Sequence, residues 1–118
     1  MSKSGIEEFA EERAALNEVV MQYAGRDIKR FFALDTQVYQ DGALPAKVKE
    51  LLGLVASLVL RCDDCVRYHI LQCHQAGVTT AELEEALSIA LIVGGSITIP
   101  HLRRAFQAWD DLQKSPVA

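Results

Sequence analysis

The chain has 118 residues, 50% apolar and 24% charged, with a formal net charge of −4; this fits one globular domain, residues 1–118, and leaves little room for a second. It carries no block of Lys or Arg to attract a phosphate backbone, which argues against a nucleic-acid partner. Its greasiest runs, Leu51–Leu60 and Ala86–Ile99, fall short of the ~20 apolar residues that cross a bilayer, and the acidic start MSKSGIEEFAEERAAL lacks the apolar core of a secretory leader, so a cytoplasmic protein with no membrane partner is expected.

Taken in order, the segments repeat their apolar residues at steps of three and four, the period of a helix that buries one face, and strand-like alternation is hard to find. The expected class is all-α, with about six helices. Ile6, Phe9, Leu16, Val20 and Tyr23 line a first helix that Gly25 ends. Ile28, Phe31, Leu34 and Val38 line a second, closed by Asp41-Gly42. Pro45 opens a third, where a missing amide hydrogen costs nothing. Its residues Val48, Leu51, Leu52, Val55, Leu58 and Val59 spread beyond one narrow stripe, as in a helix buried on several sides or partly under a second subunit. The fourth helix opens at Cys62-Asp63-Asp64-Cys65 and ends at Gly77. Thr79 with Glu82 forms a capping-box signal for a fifth, with Leu83, Leu87, Ala90 and Leu91 inward and Gly94-Gly95 at its end. Pro100 starts a last helix with Leu102, Ala105, Phe106, Trp109 and Leu112 inward, and Ser115–Ala118 is expected as a loose tail. A monomer of this size buries only about 60 to 70% of its extended-chain surface, so the surplus apolar length predicts a homo-oligomer.

The chain has three cysteines, which cannot all pair within one molecule, and in a reducing compartment a Cys-x-x-Cys spacing calls for catalysis or metal binding. Cys62, Cys65, His69 and Cys73 form one row on the fourth helix. That row is too long to wrap one ion: at ~1.5 Å rise per residue its ends lie roughly 16 Å apart, while zinc holds its ligands at about 2 Å. A metal site built from Cys62, Cys65 and His69 with His101 or Glu50 remains geometrically open. The redox alternative rests on the thiolate being the reactive form of cysteine, favoured by the amides and dipole of a helix start and by a neighbouring protonated histidine. Both aids are within reach of Cys65, His69 standing one turn further on, whereas Asp63 and Asp64 bring opposing negative charge. Cys62 is placed to close a disulfide on an oxidised Cys65. The thioredoxin fold, the familiar cytosolic home of Cys-x-x-Cys, needs a strand before the active-site helix, and here a helix precedes it.

Glu50, Cys62-Asp63-Asp64-Cys65 and His69 together reproduce the Glu-x11-Cys-x-x-Cys-x3-His pattern, and Gln75-Ala76-Gly77-Val78-Thr79-Thr80-Ala81-Glu82-Leu83 resembles the A-G-x-T-x-x-E segment that follows it in alkylhydroperoxidase AhpD-like members of the carboxymuconolactone decarboxylase family. The likeness is closest over residues 43–95. It implies a single-domain helical fold that assembles as an oligomer, trimer or hexamer, and an antioxidant thiol-dependent peroxidase or disulfide reductase. By that resemblance Cys65 attacks the peroxide, Cys62 donates a proton and resolves the sulfenic acid, and Glu50 and His69 form a proton relay. No tightly bound cofactor or metal is implied. The expected reductant is an external lipoyl-type dithiol, and the partners would be a small peroxide or disulfide substrate and a lipoylated or peroxiredoxin protein. Asp64 stands where AhpD itself has a histidine, which removes one imidazole from the proton path. Decarboxylases of the family typically lack the cysteine pair, so a lyase activity fits poorly.

Blander readings apply elsewhere. Cys73 reads as a small core residue, His74 and His101 as surface or interface histidines, and Glu7-Glu8, Glu11-Glu12 and Glu84-Glu85 as solvated helix faces. The rival to an enzyme is a non-catalytic helical oligomer whose Cys62 and Cys65 serve as a redox sensor or a docking point for a partner protein.

Overall fold

The computed structural model describes residues 2–117. Its regular elements are α1 (Gly5–Tyr23), α2 (Arg26–Val38), α3 (Ala46–Val59), α4 (Asp63–Gln75), α5 (Thr80–Gly94), a 3-10 turn (Ser96–Thr98) and α6 (Ile99–Lys114), with no strand among the described residues. Local chemistry sets the boundaries. Ser4 caps α1 by accepting from the Glu7 amide, and Thr79 and Glu82 complete a reciprocal capping box on α5, each satisfying amides that a helix start leaves bare. Pro100 sits in the first turn of α6.

α3 packs most extensively on α4 and α5, α4 also on α6, and α1 lies across α6 and α4. Their shared core contains Leu54, Leu58, Val66, Ile70, Cys73, Leu83, Leu87, Ala90, Ala105, Trp109 and Leu112, and α1 adds Ile6. The Trp109 indole N–H is satisfied by the Thr80 hydroxyl at 3.0 Å, as a buried indole requires.

The apolar stripes expected to be inward divide into two groups. Those of α5 and α6 are largely covered, apart from Phe106, which is exposed. Those of α1 and α2 are not: past Phe9 the α1 residues Leu16, Val20 and Tyr23 are exposed, and no residue of α2 is buried. Phe31 is 68% exposed and Tyr23 87%. The helices form as their periodicity dictates, but no described residue buries their apolar faces, and Leu52, one of the α3 residues that spread beyond a single stripe, is likewise exposed. The protruding pair raises the radius of gyration to 14.7 Å, against roughly 13.5 Å for a compact chain of this length. The expected loose tail also differs, because Val117 packs back against the core; Ala118 lies outside the described residues.

Candidate active site: two sulfurs beside a buried acid and imidazole

The α3–α4 connection is a tight left-handed stop. Arg61 adopts φ 59°, its amide bonds to the Leu58 carbonyl at 2.9 Å, and the Cys62 amide reaches the Ser57 carbonyl at 3.1 Å. This is the Schellman pattern, in which the amide of the residue after the left-handed position bonds to the carbonyl five residues back. That residue here is Cys62, which is simultaneously the N-cap of α4: its sulfur accepts from the Cys65 amide at 3.4 Å. The end of one helix and the start of the next therefore fix the same cysteine. One turn on, Cys65 brings its Sγ to 2.7 Å from Cys62 Sγ, with Cys65 exposed and Cys62 half-buried, both free thiols. A disulfide needs ~2.0 Å between sulfurs, so a small torsional adjustment closes the bridge.

Beneath the sulfurs, α3 and α4 place Glu50 and His69 together. Both are buried, and His69 Nδ1 lies 3.0 Å from Glu50 Oε2. With the carboxylate accepting, Nδ1 carries the hydrogen and Nε2 is the basic nitrogen. Nε2 does not hydrogen-bond to a sulfur. It faces the Tyr39 hydroxyl at 3.5 Å, with the two rings 5.2 Å apart. The direct His69–Cys65 contact that helical spacing permits is thus not made; the two residues instead line the same groove. Tyr39 escaped the sequence reading because no periodicity points to a residue at the end of α2. Gly53 escaped it too: a Cβ there would lie 2.7 Å from His69 Cε1 and 2.8 Å from both Nε2 and the Tyr39 hydroxyl, so a side chain on α3 is left out to make room for the pair. A glycine inside an apolar helical run was the available signal.

The acids in the first turn of α4 are largely engaged. Asp63 accepts from His101 at 2.8 Å and from Arg104 at 3.0 Å, and Asp64 pairs with Arg67 at 2.8 Å. His101, read from the sequence as a surface or interface residue, instead ties α6 to the start of α4. Even so, the Cys65 thiol is pushed up to about 11, first by its hydrogen bond to Cys62, then by burial, the charge of Cys62 and the acids Asp64 and Asp35. The helix-start amide goes to Cys62, and Cys65 retains its proton. Of the opposing influences that the sequence brings to Cys65, those that hold the proton prevail. Burial pushes the Cys73 thiol up to about 12, which suits an inert core residue. Burial likewise raises the Tyr39 hydroxyl, reinforced by the charges of Glu50 and Asp35.

A groove of about 800 Å³ opens between α1 and α4 onto Cys65 and His69, walled by Phe9, Arg13, Leu16 and Tyr68 and edged by Glu8, Glu12, Asp35 and Asp64. The Arg13 guanidinium stacks 3.9 Å over Tyr68, and Arg67 4.6 Å over Phe9, which holds the wall in place. Among the described residues no group of three or more His, Cys, Asp or Glu is arranged to hold a metal ion; His101 turns to Asp63 and Glu50 to His69. No described helix is long and apolar enough to cross a membrane.

The comparisons agree with this architecture. A relative from Cupriavidus necator is 37% identical over 73 residues, 62% of this chain and 65% of its own length; the chain thus spans just under two thirds of that relative. Protein 4 in the cox locus of Paracoccus denitrificans is 28% identical over 99 residues, 84% of this chain and 88% of that one. A crystal structure from Thermotoga maritima superposes with a TM-score of 0.89 at 55% identity, over 92% of this chain and 95% of that one. Another from Thermotoga maritima gives 0.84 at 56% identity, covering 91% of each chain, and is described as a carboxymuconolactone decarboxylase family protein with a suggested part in antioxidative response. A family member from Legionella pneumophila shares the fold, with a TM-score of 0.79 at 22% identity over 95% of this chain and 97% of that one. The family model for carboxymuconolactone decarboxylases matches residues 28–108, and the chain belongs to that family.

Proposed function

We propose that the protein is a dithiol oxidoreductase that reduces a hydroperoxide or a disulfide, cycling Cys62 and Cys65 between open and bridged states in an antioxidant role. The observation that carries this reading is the 2.7 Å approach of the two sulfurs at the head of α4, with a buried acid–imidazole pair one turn below. Cys65 is the attacking sulfur because it lines the groove. Since its thiol holds its proton near neutral pH, attack requires a base, and Nε2 of His69 is the basic nitrogen on hand; Glu50 offsets the charge that develops on the ring. Cys65 then displaces alkoxide from the peroxide and becomes a sulfenic acid, while the alkoxide takes a proton and leaves as the alcohol. Cys62 attacks that sulfur, releasing water and forming the disulfide. An external dithiol of lipoyl type, free or carried by a lipoylated protein, reduces the bridge and leaves as its own cyclic disulfide, and a peroxiredoxin disulfide is a partner of the substrate kind. The uncovered faces of α1 and α2 favour a homo-oligomer, trimer or hexamer, as the working form.

The test is consumption of an organic hydroperoxide by purified protein with dihydrolipoamide. Cys65→Ser is expected to abolish turnover and Glu50→Gln to slow it; full activity in the Cys65 variant would remove the mechanism. The raised Cys65 thiol also favours a second reading, a redox sensor or docking thiol that reacts slowly and once. Inactivity of the wild type toward every peroxide and disulfide, together with formation of a Cys62–Cys65 bridge, selects that reading.

A further inference from the structure

Tyr39 is the residue that caps the C-terminal end of α2, a helix with no buried residue of its own, yet its hydroxyl reaches the most enclosed part of the site. Two features hold it there. Lys49, the neighbour of Glu50 on α3, donates from Nζ to the Val38 carbonyl at 2.9 Å and to the Gln40 carbonyl at 2.7 Å, so one ammonium group grips the main chain on both sides of Tyr39. Cations are well suited to the bare carbonyls at a helix end. Gly53 supplies the space, since any side chain there would strike both the Tyr39 hydroxyl and the His69 ring. Three separate choices on α3, at positions 49, 50 and 53, thus converge on one tyrosine–histidine contact.

We propose that Tyr39 is a positioning residue for His69: in the resting site its hydroxyl donates to Nε2 while Glu50 accepts from Nδ1, so the ring is fixed at both nitrogens in the tautomer that leaves Nε2 without hydrogen, and the hydroxyl gives up that lone pair when Nε2 takes the thiol proton. This rests on the reading of Glu50 and His69 as the relay that serves Cys65. The direction of the hydrogen bond follows from the partners. A carboxylate cannot donate, so Nδ1 bears the hydrogen and Nε2 must accept, which leaves the phenol as donor. Burial and the charges of Glu50 and Asp35 keep the phenol protonated. The separation of 3.5 Å is at the long end for a hydrogen bond, as expected of a resting site that tightens when occupied. Groups on each neighbouring element also face this chain of three: Asp35 on α2, Arg13 on α1, Tyr68 and Cys65 on α4.

The experiment compares wild type, Tyr39→Phe, Tyr39→Leu and Lys49→Met by two readouts. The first is ¹⁵N NMR of the His69 ring nitrogens, which reports the tautomer and the hydrogen bond at Nε2 without requiring turnover. The second is the split of kcat from KM in the dithiol–peroxide assay. Tyr39→Phe keeps the ring and its packing; it is expected to shift the Nε2 resonance and to lower kcat about tenfold, the effect of one neutral hydrogen bond, with KM for peroxide unchanged. Lys49→Met is expected to move both readouts in the same direction. If Tyr39→Phe matches wild type in both while Tyr39→Leu does not, Tyr39 only fills space and the proposal is wrong. If the wild type turns over no substrate but Tyr39→Phe still shifts Nε2, the functional reading fails and the positioning role stands.

Discussion

Gly53→Ala separates the stability of α3 from the integrity of the site. Glycine in a helix interior is roughly 1 kcal/mol worse than alanine, so in open space the substitution would stabilise the protein by about that amount. The space is not open. The new Cβ would sit 2.7 Å from His69 Cε1 and 2.8 Å from Nε2 and the Tyr39 hydroxyl, while carbon contacts settle at roughly 3.5 Å, so those atoms must retreat by about 0.7 Å. The ring has little room to do so, being held at 3.0 Å by Glu50 and met edge-on by Tyr68 at 5.2 Å. Overpacking of this kind costs ~1–3 kcal/mol, which leaves a net loss of ~0–2 kcal/mol after the gain in helix propensity. Catalysis is expected to suffer far more, since a displacement approaching 1 Å at a positioned group costs up to about 100-fold. Urea denaturation and the dithiol–peroxide assay measure the two effects on the same preparation. A variant more stable by about 1 kcal/mol with undiminished turnover would show that the contact constrains nothing.

Cys62→Ala removes the largest cause of the raised Cys65 thiol while leaving burial, Asp64 and Asp35 in place. The pH midpoint for alkylation of Cys65 is expected to fall from about 11 toward 9.0, so that the rate at pH 8 rises several-fold; an unmoved midpoint would show that the sulfur–sulfur contact does not hold the proton. Arg61→Gly relieves a left-handed backbone conformation that costs a non-glycine residue ~1–2 kcal/mol and should raise the urea midpoint by the equivalent of about 1 kcal/mol without altering turnover. Phe31→Glu with Leu34→Glu charges the bare face of α2; light scattering is expected to report a smaller particle than wild type, with near-wild-type helicity by circular dichroism, and an unchanged mass would place that face outside any assembly contact.

The helices, their caps and most of their limits were legible in the sequence, because a period near 3.6, Thr79 with Glu82, Pro100 and Gly77 act locally and need no knowledge of what lies opposite. The row of Cys62, Cys65 and His69 was legible for the same reason, helical spacing alone placing the three on one face. The family pattern singled out Glu50, whose partner across the α3–α4 packing no periodicity could reveal. What only the tertiary structure decided were relations between elements. The Nε2 of His69 is taken by Tyr39 from α2 rather than by Cys65, the charge of Asp63 is tied up by His101 and Arg104 from α6, and the amide of the helix start goes to Cys62, so that Cys65 keeps its proton. The apolar faces of α1 and α2 read as core from the sequence and are left bare by the described residues. Hydrophobic periodicity reports that a face seeks cover, but where the cover comes from depends on contacts between parts of the chain, or between chains, that lie far apart in sequence.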